Sequence, residues 1–134
     1  MLTDAELELL HDVLDLARNG ATDQLAAAIE AGVPANLTDA SGNSLLILAA
    51  YHDHPSAVRT LLDRGADVHR VNDNGQTALA AAVFRRSAVS VRALLAAGAD
   101  PDEGPRSARQ ITDFFQLDDM AAELERPHDT RREC

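Results

Sequence analysis

The sequence contains no lysine, no tryptophan and a single cysteine, which stands at its last position. Without lysine, the chain has neither a Schiff-base nucleophile nor the lysine of a phosphate-binding loop. One cysteine permits no intrachain disulfide and no multi-cysteine zinc site. Aromatic residues make up only 3% of the chain, and they are Tyr51, Phe84, Phe114 and Phe115. These absences narrow the available chemistry before any motif is considered.

Positive charge and long apolar runs are also scarce. The formal net charge of −10 opposes binding to a nucleic-acid backbone, which requires clustered positive charge. No apolar run approaches the roughly 18 residues of a membrane-spanning helix, and the first residues do not resemble a secretory signal. We therefore expect a cytoplasmic protein, by default a monomer, that binds neither nucleic acid nor membrane. A length of 134 residues predicts one domain.

The chain repeats itself with a period of 33 residues. Two series of glycines have this spacing: Gly32, Gly65 and Gly98, and Gly42 with Gly75. The segment LLDRGAD at 61–67 also recurs as LLAAGAD at 94–100. A fixed period of this length indicates an array in which each unit buries its apolar face against its neighbours.

Each unit predicts a turn followed by two helices. The glycine after each double leucine is typical of a helix end with positive φ, and the other glycine lies in a polar turn. Ser44 and Thr77 are predicted N-caps of first helices at 45–52 and 78–85. Second helices are predicted at 56–64 and 88–97. Many of the 25 alanines fall in the first helices, where they permit close packing.

This pattern resembles the ankyrin repeat. The residues that carry the resemblance in one unit are Asp39, Gly42, Ser44, Leu46, Ala49, Ala50, Val58, Leu61, Leu62, Gly65, Ala66 and Asp67. In the next unit they are Gly75, Thr77, Leu79, Ala82, Val91, Leu94, Leu95, Gly98, Ala99 and Asp100. The resemblance implies an all-α solenoid of about four helix-turn-helix repeats with short turn fingers. We expect units 1–38 and 105–126 as caps, units 39–71 and 72–104 between them, and a disordered tail at 127–134.

The chain departs from the family pattern in places. The family's Thr-Pro-Leu-His tetrapeptide is replaced by SLLI at 44–47 and TALA at 77–80. Asp53 and Arg86 replace the glycine between the two helices, so we expect mildly strained positive φ angles there. Thr3 and Glu6 predict a capping box in the N-terminal cap. In the C-terminal cap, a two-helix apolar pattern includes Ile111, Phe114, Phe115, Leu117, Met120 and Leu124.

No catalytic or cofactor-binding motif is present. The sequence has no Gly-x-Ser-x-Gly, no His-Glu-x-x-His and no glycine-rich phosphate loop, so we predict no enzyme activity, cofactor or metal. His52 and His54 could together hold a transition metal if the turn brought them close. An exposed polar loop between two helices is the favoured interpretation of this pair.

The resemblance implies that turn tips and inner-helix ends form a concave surface that binds another protein. Inner-helix positions then form two columns across the repeats: Arg18, Tyr51 and Phe84, and Asn19, His52 and Arg85. The turn tips add Asn43, Asp73, Asn74 and Gln76. We expect a partner face that is partly apolar and modestly acidic opposite Arg85 and Arg86. Alternatively, Phe84 belongs to the core between repeats.

The acidity suggests a second function. The first 38 residues contain seven acidic residues against one arginine. The alternative hypothesis is therefore an acidic inhibitor or immunity-type protein that neutralises a basic enzyme. A solvated helix face accounts for the same charge more simply.

Overall fold

The computed structural model describes residues 3–126, which form eight α-helices in four consecutive pairs. The predicted tail at 127–134 lies outside the described residues. The helices are α1 (Asp4–Asn19), α2 (Thr22–Glu30), α3 (Leu45–Tyr51), α4 (Pro55–Asp63), α5 (Ala78–Phe84), α6 (Ala88–Ala96), α7 (Ala108–Phe115) and α8 (Asp118–Glu125). The predicted all-α repeat solenoid is confirmed.

Side-chain caps fix where α1, α3 and α5 begin. Thr3 and Glu6 form the predicted capping box at the start of α1. The hydroxyls of Ser44 and Thr77 accept hydrogen bonds from the third amide of α3 and α5, at 3.1 and 3.2 Å. Each bond satisfies an amide that has no partner within its helix. The predicted N-caps are thus confirmed, and the predicted helix limits in the two central units agree to within one residue.

The helices pack in two rows. An inner row consists of α1, α3, α5 and α7, and an outer row of α2, α4, α6 and α8 lies behind it. Residues Leu45 to Ala50 of α3 and Ala78 to Val83 of α5 are buried without interruption. These helices are apolar on all sides because neighbours in the row, an outer helix and the adjoining turns enclose them. Alanine at many of these positions lets the helix axes approach closely.

Polar turns, which we call fingers, join the helix pairs at residues 34–44, 67–77 and 100–107. The Asp39 carboxylate accepts hydrogen bonds from the amides two and four positions later, both at 2.9 Å. Asn72, which is 33 residues further on, uses its side-chain oxygen in the same way at 3.0 Å. The repeated polar residues therefore shape each finger from within.

Neighbouring fingers are bonded to each other through their backbones. The amide of Asp73 donates to the carbonyl oxygen of Ser41 at 3.0 Å. The amide of Arg106 donates to the carbonyl oxygen of Gly75, also at 3.0 Å. These bonds fix the spacing between fingers, and with it the wall that the fingers present to the inner helices.

The turns between paired helices use left-handed backbone conformations. Asp53 and Arg86 have φ angles of 63° and 57°, as predicted. Gln116, at the end of α7, has a φ of 55° that the sequence did not predict. His54 precedes α4, and its Nε2 donates to the carbonyl oxygen of Arg18 at 2.8 Å. This bond ties the second helix pair to the end of α1.

Gly20 is required both by its backbone conformation and by the closeness of His54. Its φ is +70°, and a Cβ there would lie 2.6 Å from His54 Cγ. Gly65 has a similar φ of +87° but no atom within 4 Å of such a Cβ. We predict that Gly65→Ala costs about 1–2 kcal/mol of unfolding free energy from backbone strain alone. Gly20→Ala costs about 1–2 kcal/mol more, because His54 must move and lose its bond.

Urea unfolding monitored by circular dichroism measures both free energies. Equal losses for the two variants would contradict the role given to His54.

Candidate functional site

A groove runs between the inner helices and the fingers. It consists of three depressions with volumes of about 570, 400 and 490 Å³, in order from α1 to α7. The first and central depressions share Arg18 and Asp39 as lining residues. The central and third share Gln76 and Phe84. The three depressions are therefore parts of one continuous surface.

The four aromatic residues form one row along this groove, which we call the aromatic row. The rings of Tyr51 and Phe84 are stacked, with centroids 6.0 Å apart and planes inclined by 4°. Phe115 meets Phe84 edge-on at 5.8 Å, and Phe114 meets Phe115 at 4.9 Å. Their exposed fractions lie between 41% for Phe84 and 80% for Phe114. Phe84 is therefore a groove residue and does not belong to the buried core.

Phe114 and Phe115, which the sequence grouped with the apolar residues of the C-terminal cap, are exposed and continue the row. The last finger is shorter, so Ser107 caps α7 thirty residues after Thr77 caps α5. This change in register turns Ala108, Ile111 and Thr112 inward and leaves both phenylalanines in the final turn. The capping box of Ser107 and Gln110 was the sequence signal that would have located this helix start.

The arginines near the groove differ in whether they form ion pairs within the protein. Arg18 pairs with Asp15 at 2.6 Å and with Asp39 at 3.5 Å. Arg86, which we expected to face a partner, pairs with Asp119 at 2.8 Å. Over residues 3–126, Arg85 and Arg106 are exposed and form no ion pair. They stand at the end of α5 and in the lining of the third depression.

Burial, hydrogen bonds and neighbouring charges shift the pKa of two groups in the groove. Burial lowers the pKa of His52 below its ordinary value, and the positive charges of His54, Arg18 and Arg85 lower it further. Burial raises the pKa of Asp39, but hydrogen bonds from Asn43 and Ser41 and the charge of Arg18 outweigh this, so the net shift is downward. At neutral pH the groove therefore presents an uncharged His52 beside Tyr51, whose ring it meets edge-on at 5.3 Å.

The remaining candidate residues have different surroundings. The Asn43 amide donates to Asp39 at 3.2 Å and accepts from the Asn72 side chain at 2.7 Å, so it holds the fingers together. Asn74 and Gln76 line the central depression with Arg18, Tyr51, His52 and Phe84. Asn19, Asp73 and Arg85 are exposed outside that lining.

No group of three or more His, Cys, Asp or Glu side chains is arranged to hold a metal ion within residues 3–126. In the same range, no helix combines the length and apolar character needed to cross a bilayer.

Four stacked helix pairs with bonded fingers define an α-solenoid repeat protein. Residues 13–104 match the family described as ankyrin repeats, in three copies, and the chain belongs to this family. An ankyrin repeat protein of Pseudomonas aeruginosa is 44% identical over 52 residues. That match covers 39% of this chain and 30% of the relative, so the chain spans about a third of the relative's length. Ankyrin repeats generally mediate protein–protein interaction.

The position of Arg85 beside His52 can be tested by titration. Removing the positive charge with Arg85→Ala raises the pKa of His52 toward its ordinary 6.5, because a nearby cation disfavours the protonated ring. NMR titration of the His52 ring measures the change. Arg59→Ala removes an exposed arginine of α4 and leaves the titration as in the unaltered protein. An unchanged His52 titration in Arg85→Ala would contradict the described arrangement.

Proposed function

We propose that the chain is a non-enzymatic interaction module that binds a partner protein through the groove, the equivalent of the concave face of an ankyrin array. The aromatic row carries this proposal. All four aromatic residues of the chain lie in one contiguous exposed row instead of the core. A contiguous apolar patch of this kind marks an interaction site, and tyrosine is enriched among the residues that dominate binding energy. A cytoplasmic location and a monomeric state stay predictions.

The surroundings of the aromatic row suit a protein ligand. Asn74 and Gln76 on the fingers offer amide donors and acceptors opposite the rings. The groove is continuous along its length because its depressions share lining residues. A helix or an extended segment can therefore place apolar side chains on the row and polar groups against the fingers. This arrangement has the apolar centre and polar rim of protein interfaces.

The double variant Tyr51→Ala/Phe84→Ala tests the groove. We predict that it lowers affinity for the native partner by about tenfold or more, since it removes two central anchors. The partner is first isolated from the native host with the unaltered protein and identified, and titration calorimetry then compares the variants. Val89→Ala is the matched control, because Val89 is 47% exposed on the outer helix α6. Equal affinities for all three proteins would disprove the assignment of the groove.

The acidic first helix supports a second candidate, a protein that neutralises a basic enzyme. Its carboxylates at Asp4, Glu6, Glu8, Asp12 and Asp15 are all exposed. If α1 docks the partner, neutralising these charges weakens the complex. If the groove docks it, Glu8 and Asp12, which lie outside its lining, contribute little.

We predict that Glu8→Gln/Asp12→Asn changes partner affinity by less than about twofold, because both residues lie outside the lining of the groove. The same calorimetric titration measures it. A fall of about tenfold, together with loss of the complex at raised ionic strength, would favour the neutralising function instead.

A further inference from the structure

We propose that the third depression of the groove, between α5 and α7, binds a segment of the partner protein in which a large apolar side chain stands next to carboxylates. This inference rests on the proposed function and specifies the chemistry of the partner. The lining residues are Gln76, Phe84, Arg106, Gln110, Ile111, Phe114 and Phe115. Arg85 lies outside this lining and directly follows Phe84 at the end of α5.

Most arginines of the described residues form ion pairs, and one that forms none lines this depression. Seven of the ten arginines in residues 3–126 form ion pairs: Arg18, Arg64, Arg70, Arg86, Arg92, Arg109 and Arg126. Pairing is expected when 22 acidic residues surround 12 basic ones. Arg85 and Arg106 are exceptions: Arg106 lines the third depression, and Arg85 directly follows Phe84 in the chain. Arg59, the third exception, lies on the outer helix α4.

The third depression is also the part of the groove without a carboxylate. Asp39 lines the first and central depressions, and Asp15 lines the first. The third has no acidic residue in its lining and contains Arg106. In a protein of net charge −10, the charged residue in the lining of this depression is thus a cation, Arg106. A guanidinium group binds a carboxylate through two parallel hydrogen bonds, so an acidic residue of the partner complements it.

The same depression provides an apolar surface beside the guanidinium group of Arg106. Phe114 is 80% exposed, Phe115 is 49% exposed and Phe84 forms the inner wall. A volume of about 490 Å³ accommodates a large side chain with part of its backbone. The amides of Gln76 and Gln110 can then bond to that backbone. An apolar anchor and an adjacent carboxylate are therefore recognised together.

Other occupants complement the site less well. Residues 127–134 of the chain contain two arginines beside two acidic residues and no large apolar residue, so they do not supply the apolar side chain that the depression would bind. A second copy offers Leu7 and Leu9 among the carboxylates of its α1, but two chains of charge −10 repel each other. A segment of a different protein is the occupant that the charges favour.

A displayed library of random peptides, selected on the immobilised full chain, tests the inference. Selections on Arg85→Ala/Arg106→Ala and on Arg59→Ala run in parallel. We expect peptides from the unaltered protein to carry Asp or Glu beside a large apolar residue. This enrichment persists with Arg59→Ala and is lost with Arg85→Ala/Arg106→Ala.

Fluorescence anisotropy then compares an enriched peptide with its amide version, in which Gln or Asn replaces each acid. We expect the amide version to bind the unaltered protein about tenfold more weakly. It should bind Arg85→Ala/Arg106→Ala as well as the acidic peptide does, because the charges to which the acids responded are absent.

The contrary outcomes are distinct. Neutral or basic enriched peptides, or acidic ones indifferent to both arginines, overturn the inference. Such peptides agree with the proposed function if their binding still requires Tyr51 and Phe84. No enrichment on the unaltered protein also overturns the inference, while affinity for the native partner decides the proposed function separately. A dimer in sedimentation that Arg85→Glu/Arg106→Glu dissolves would assign the site to a second copy and overturn the inference.

Discussion

The close approach of short, alanine-rich inner helices is the contact on which the rest of the structure depends. Six consecutive residues of α3 and six of α5 are buried, and six of these twelve residues are alanine. Helices packed in this way leave little room for aromatic rings except at their last turn. The aromatic rings therefore stand at the helix ends, where stacking of the repeats brings Tyr51 and Phe84 to 6.0 Å. Core packing and groove composition are two results of one constraint.

The features that the sequence predicted well are those decided by one or two residues. A glycine after a double leucine, a serine or threonine cap and an aspartate within a finger each impose a local conformation, and a fixed period then aligns them. The positions of Phe114 and Phe115 depend instead on a finger shortened by three residues, which a search at a constant period of 33 misses. The pairing of Arg86 with Asp119 joins residues 33 apart in different units, so spacing within one unit does not reveal it.

Arginine serves two purposes in this chain. Several guanidinium groups tie one repeat to the next, and Arg92 holds Glu123 through two bonds of 2.9 and 2.7 Å. Arg64 with Glu30 and Arg86 with Asp119 connect units in the same manner. The planar guanidinium group suits this role because it reaches across a gap between helices and can bind both oxygens of a carboxylate. Arg106 is not used in this way and lines the third depression of the groove.

The backbone bonds between fingers have a consequence for the energetics of recognition. Because Asp73 is bonded to Ser41 and Arg106 to Gly75, one wall of the groove is held by the main chain and does not depend on which side chains contact it. Little conformational entropy is then lost by this protein when a ligand enters. The cost of ordering falls on the ligand instead. A partner that already holds its segment rigid should bind more tightly than a flexible peptide with the same contacts.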